Sequence, residues 1–131
     1  MAAHSHVTHS DQERTIRQSE TAFQQQVIDL AHYTGWVVAH FRAARTEKGW
    51  RTPVAADGAG FPDLVLVNRS QKRVLYVELK SEDGKESPAQ MGWRILLTEA
   101  GAEAYCWRPK DFDMIQETLQ GALTPVKEDK P

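Results

Sequence analysis

Gly60-Phe61-Pro62-Asp63-Leu64-Val65-Leu66-Val67, followed after a polar turn by Arg73-Val74-Leu75-Tyr76-Val77-Glu78-Leu79-Lys80, decides the reading of this chain. The two runs read as adjacent strands joined through Asn68-Arg69-Ser70-Gln71-Lys72. Side chains alternate along a strand, so Glu78 and Lys80 share one face while Leu75, Val77 and Leu79 share the other. In an antiparallel hairpin the start of the first strand lies beside the end of the second. Asp63, Glu78 and Lys80 therefore converge at one end of the sheet. Two carboxylates about 5 Å apart repel by roughly 3 kcal/mol at an effective dielectric near 20. Lys80 offsets part of that, and a hard divalent cation with oxygen ligands offsets the rest. Mg²⁺ or Mn²⁺ there would also acidify a water and stabilise charge on a phosphoryl oxygen. The plain alternative is a Pro-Asp turn and a strand that ends in solvated Glu and Lys.

Pro62-Asp63 with Glu78-Leu79-Lys80 resembles the PD-(D/E)xK nuclease superfamily. The fuller set, with Gly60-Phe61, Tyr76-Val77 and a later Gln90, is similar to the stand-alone VRR-NUC branch found in phages and bacteria. That likeness spans most of Glu20 to Arg108. It implies an α/β fold with a restriction-endonuclease-like core, a mixed central β-sheet flanked by helices. It implies a metal site of Asp63, Glu78, the Leu79 backbone carbonyl and an N-terminal helix glutamate, here Glu20. Lys80 would orient the attacking water, and Gln90 would help position water or phosphate. It further implies a homodimer that cuts branched DNA, four-way junctions above all, in the cytoplasm of a bacterium or of a phage-infected host.

At 131 residues the chain suits one domain. The reading gives a flexible arm over residues 1–17, a nuclease-like domain over 18–122 and a flexible tail over 123–131. No apolar run approaches a membrane span, and the single Cys106 fits a reducing cytoplasm and rules out an internal disulfide. The net charge of −2 carries no global mark of nucleic-acid binding, so the distribution of charge matters more than its sum.

From Ser19 the apolar residues Phe23, Val27, Leu30 and Ala31 recur at helical spacing, with Gly35 as the stop. Glu20 sits on that stripe, either as a macrodipole partner or as a site ligand. Trp36–Phe41 reads as a strand, with His40 either at the site or in the core. Residues 42–51 carry four basic side chains and one acidic, a local charge of +3. A basic loop holding Arg42, Arg45, Lys48, Trp50 and Arg51 suits phosphates and a stacked base, or is simply a solvated loop. Lys72, Arg73, Lys85 and Arg94 are further phosphate candidates. Ser87-Pro88-Ala89-Gln90 forms a helix start with a capping box, a structural reason for Gln90 beside the catalytic one. That helix runs through Trp93, Leu96 and Leu97 to Gly101. A strand over Glu103–Arg108 and a short helix capped by Asp111 and stopped by Gly121 complete the pattern. Two rivals stay open: a restriction-like enzyme with a sequence-specific duplex target, and a non-cutting DNA- or partner-binding module on the same fold.

Overall fold

The computed structural model describes residues 9–41, 44–46, 49–51 and 54–121. Helix α1 (His9–Tyr33) leads into strand β1 (Val37–His40), then a small hairpin of β2 (Ala44–Thr46) and β3 (Gly49–Arg51). Strands β4 (Leu64–Asn68) and β5 (Arg73–Leu79) follow, then helix α2 (Pro88–Glu99) and strand β6 (Glu103–Trp107). A 3-10 turn (Pro109–Asp111) and helix α3 (Phe112–Gln120) close the order. The main sheet runs β1-β4-β5-β6, antiparallel except for the parallel pairing of β5 with β6 through α2. This is the mixed, helix-flanked α/β sheet that the sequence implied.

One face of the sheet is the core. Leu64 and Leu66 of β4, Leu75, Val77 and Leu79 of β5, and Trp107 of β6 meet Phe23, Val27 and Ala31 of α1 and Ile115 and Leu119 of α3. Each fully buried large aliphatic contributes roughly 1.5–3 kcal/mol. Helix α1 ends as its Gly35 predicts. Gly35 adopts a φ of 91°, its amide bonds to the His32 carbonyl, and the Trp36 amide reaches the Ala31 carbonyl at 2.9 Å. Trp36 then donates its indole N–H to the Leu119 carbonyl at 2.9 Å, joining β1 to α3.

Several details depart from the sequence reading. Helix α1 begins at His9, within the span read as an arm and well before Ser19. Residues 9–18 hold one large aliphatic, Ile16, so apolar periodicity carries no signal there. Residues 1–8 and the tail 122–131 lie outside the described residues. The stretch read as a basic loop holds the β2–β3 hairpin, with Arg45 opposite Trp50 and Ala44 opposite Arg51. Leu96, part of the apolar run that marked α2, is 56% exposed, while Trp93 and Leu97 are half-buried. Asp111 does not cap α3; its carboxylate accepts the Arg108 amide at 2.9 Å and closes the 3-10 turn. Arg73 is no phosphate ligand. It is 8% exposed, forks onto Glu103 at 2.7 and 2.9 Å, donates to the Thr118 carbonyl, and lies over the Trp36 ring. Among the described residues no helix is long and apolar enough to cross a membrane.

Candidate active site

The second face of the sheet holds the candidate site residues. The register continues one residue beyond β1 and β4, where the Phe41 amide bonds to the Asp63 carbonyl at 2.8 Å. Phe41, Asp63, Glu78 and Cys106 consequently form one cross-strand row. Lys80 stands two residues beyond Glu78 on the same face, its amide tied to the Trp107 carbonyl at 3.0 Å. His40 shares the row of Leu64 and Val77, which belongs to the core face.

Asp63 is fixed by its own strand partner, accepting the Leu79 amide on Oδ2 at 3.1 Å. Glu78 is 3% exposed, and its Oε2 has no hydrogen-bond partner. Its Oε1 accepts from Gln90 Nε2 at 2.8 Å and lies 3.9 Å from Lys80 Nζ. Burial first, then the Asp63 carboxylate beside it, push the Glu78 carboxyl up to about 9, against the pull of Lys80. A buried acid with one orphaned oxygen, facing a second carboxylate, is the donor set that a hard divalent cation fits.

Gln90 makes the capping box and also reaches Glu78. Its Oε1 accepts the Ser87 amide at 2.8 Å while the Ser87 hydroxyl accepts the Gln90 amide at 3.1 Å, a complete capping box. The remaining Nε2 is therefore aimed at Glu78, an orientation that the cap holds in place.

Glu20 reaches the loop after β5, where a methyl on Gly84 would stand 3.3 Å from its Oε1. Among the described residues no three His, Cys, Asp or Glu side chains are grouped to hold a metal ion. The loop 81–84 is strapped from β6: the Arg108 guanidinium donates to the carbonyls of Ser81 and Gly84, and the Lys110 amide donates to Glu82.

Of the expected phosphate ligands, Lys85 is exposed, whereas Arg94 is held in a fork by Glu86 at 2.8 and 2.9 Å. Arg42 and Lys48 lie outside the described residues, as do the side chains of Arg45, Trp50 and Arg51. Glu86 is a site neighbour that sequence reasoning missed. Its side chain is 8% exposed, and Arg94 above all holds its carboxyl below the usual range, with help from Lys80 and Arg108. The eight-residue gap between Glu86 and Arg94 crosses a loop and a helix start, so no periodic rule reveals the pair.

An aromatic cluster was likewise hidden. The Phe61 ring meets Phe41, Tyr76 and Trp93 edge-on at centroid distances of 5.9, 6.0 and 5.1 Å. Such pairs add about 0.5–1.5 kcal/mol each beyond area burial. Trp93 also donates to the Asp57 carbonyl at 3.0 Å, pinning the loop that delivers Asp63 onto α2.

The model of the VRR-NUC domain matches residues 11–110. The chain belongs to the VRR-NUC family. Its domain is thus a nuclease of the PD-(D/E)xK type. No match was found among curated proteins or among solved structures.

Proposed function

We propose that this VRR-NUC protein is a metal-dependent endonuclease of branched DNA, with four-way junctions as its preferred substrate. The observation that carries the metal is the Glu78 carboxylate, buried beside Asp63 with one oxygen unpartnered. Leaving such an atom bare costs about 1–3 kcal/mol, and a bound cation removes that cost. Asp63, Glu78 and the Leu79 carbonyl are the proposed oxygen donors, with Glu20 approaching across the 81–84 loop. Mg²⁺ or Mn²⁺ at this position supplies a more acidic water and stabilises charge on the phosphoryl oxygens. Asp63 is held in place by the Leu79 amide and Glu78 by Gln90, so neither carboxylate has to be ordered when substrate arrives. Lys80, within reach of Glu78, orients the nucleophilic water and meets the negative charge that develops on the phosphate.

Phosphate grip is assigned to Arg42, Arg45, Lys48 and Arg51 around the β2–β3 hairpin and to Lys85 beyond β5, with Trp50 of that hairpin as a base-stacking candidate. Arg94 joins them only by leaving Glu86. A two-fold homodimer would present two such sites to two strands, which is the geometry that a symmetric junction asks for. The cytoplasm is the proposed compartment.

The deciding experiment is cleavage of a labelled four-way junction beside a matched linear duplex in Mg²⁺, Mn²⁺ and EDTA, with Lys80→Ala as control. Metal-dependent cutting of the junction, lost in the variant, supports the proposal in full. Equal cutting of both substrates retains the nuclease and removes the junction preference. Clean binding without cutting in either metal overturns the enzyme.

A further inference from the structure

We infer that Phe41 is a stacking site for an unpaired nucleobase flanking the scissile phosphate, an inference that rests on the nuclease reading above. Single exposed aromatics are ordinary on protein surfaces; three features set this one apart. It occupies the same cross-strand row as Asp63 and Glu78, directly beside Asp63. Residues opposite one another on adjacent strands stand about 4.5–5.5 Å apart at Cβ, so the ring lies one strand from the carboxylates. Phe41 is 45% exposed, and β1 is the edge strand of the sheet, so the ring is open at the rim of the site. Ala39, the next residue of β1 on that face, is too small to shield it. The ring is also backed by Phe61, which Tyr76 and Trp93 hold edge-on in turn. It is therefore ordered before any ligand arrives, and little side-chain freedom remains to be lost on stacking.

Bases inside a regular duplex are already stacked, and extracting one has an energetic cost. A flap or splayed end presents a base that is free, and a four-way junction, though fully paired, interrupts the stack at its branch point. Stacking on Phe41 thus favours substrates with an unpaired nucleotide at the cut bond and does so without reading sequence, since every base has a π-face. Trp50, singled out from the sequence for base stacking, belongs to the separate β2–β3 hairpin; Phe41 belongs to the sheet that carries the carboxylates.

The test uses the full chain with a splayed-arm DNA carrying 2-aminopurine at the unpaired nucleotide next to the cut, and a matched linear duplex. In EDTA the wild type quenches the 2-aminopurine on binding, and Phe41→Ala abolishes that quench while Phe41→Trp keeps it. With Mg²⁺ or Mn²⁺, Phe41→Ala lowers kcat/KM on the splayed substrate about 5–100-fold, leaves the linear duplex unchanged, and Phe41→Trp restores it. Equal losses on both substrates, or a quench that survives in Phe41→Ala, overturn the inference. So does a variant whose only change is its sedimentation mass, which would mark Phe41 as a self-association contact. If wild type cuts neither DNA, the nuclease reading fails by itself, and the quench in EDTA still decides whether a base stacks here.

Discussion

At the scale of single residues, Gln90 and Glu78 carry the sharpest predictions. Gln90→Glu preserves the capping box, because glutamate serves at that position as well as glutamine does. It removes the donor that faces Glu78 Oε1 at 2.8 Å. A lost hydrogen bond to a charged group corresponds to about 1.5–3 kcal/mol, or roughly 10–100-fold in rate. Steady-state cleavage is expected to drop by that factor while the melting temperature holds; Gln90→Leu should lose both. Glu78 gives a pH signature. Its carboxyl is raised to about 9 in the folded state, so the folded chain binds that proton more tightly than the unfolded chain does. The associated stability is fully present below the ordinary carboxylate range and is lost as pH rises toward about 9. Denaturation in EDTA should show this fall, and Glu78→Gln should flatten it. At pH 8 without metal that variant should be the more stable protein by about 1–3 kcal/mol. Added Mn²⁺ should reverse the order, because only the wild type can bind it well. Asp63, Glu78, Lys80 and Gln90 were all legible in the sequence, since strand alternation and a capping rule act over a few residues. Glu86 and Phe41 were not, because their neighbours are set by tertiary approach.

At the scale of elements, the loop before β4 and the first turn of α2 must touch. A methyl on Gly60 would stand 2.6 Å from the Ala89 carbonyl carbon, and Gly60 holds a φ of 84°. Gly60→Ala therefore meets both a backbone clash and a left-handed conformation. It should lift the loop from α2, destabilise by more than about 1 kcal/mol in urea titrations and lower cleavage, since Asp63 and Gln90 flank that contact. Arg73 makes the opposite point about reading charge from sequence. An arginine beside a polar turn looks like a phosphate ligand, yet its strand register turns it into the core side, onto Glu103 and the end of α3. Arg73→Ala removes the charge that faces Glu103 and should cost about 3–5 kcal/mol in equilibrium unfolding, with DNA affinity per folded molecule unchanged. The early start of α1 and the β2–β3 hairpin escaped the sequence for a related reason. Neither carries the apolar spacing that announces an element.

At the scale of the whole molecule, the sheet divides its labour. One face is filled by α1 and α3, and the other holds the row of Asp63 and Glu78 with α2 along one side. That division was readable in advance, because the leucines and valines of β5 alternate with Tyr76, Glu78 and Lys80. The distribution of cations was less so. With Arg73 buried, Arg94 held by Glu86 and Lys72 in the β4–β5 turn at the far end of the hairpin from Asp63, the proposed grip reduces to Arg42, Arg45, Lys48, Arg51 and Lys85. Five phosphate contacts correspond to a slope of about −4.5 in log K against log salt on duplex DNA. Anisotropy titrations in EDTA should give a slope no steeper than that per protomer. A much steeper slope would mean that Arg94 is released on binding or that a second protomer shares the duplex.

The bond from the Lys80 amide to the Trp107 carbonyl bears on how the protein is made. Strand β5 ends beside the last strand of the sheet, so the tip that carries Lys80 has no partner on that side until residues 103–107 have been synthesised. Arg108, which straps the loop behind it, arrives later still. A nascent chain halted between Lys80 and β6 would contain Asp63, Glu78 and Lys80 yet lack the strand that aligns them. The nuclease fold is thus completed only once β6 has emerged, and fragments that stop between Lys80 and β6 are disarmed by the order of the strands.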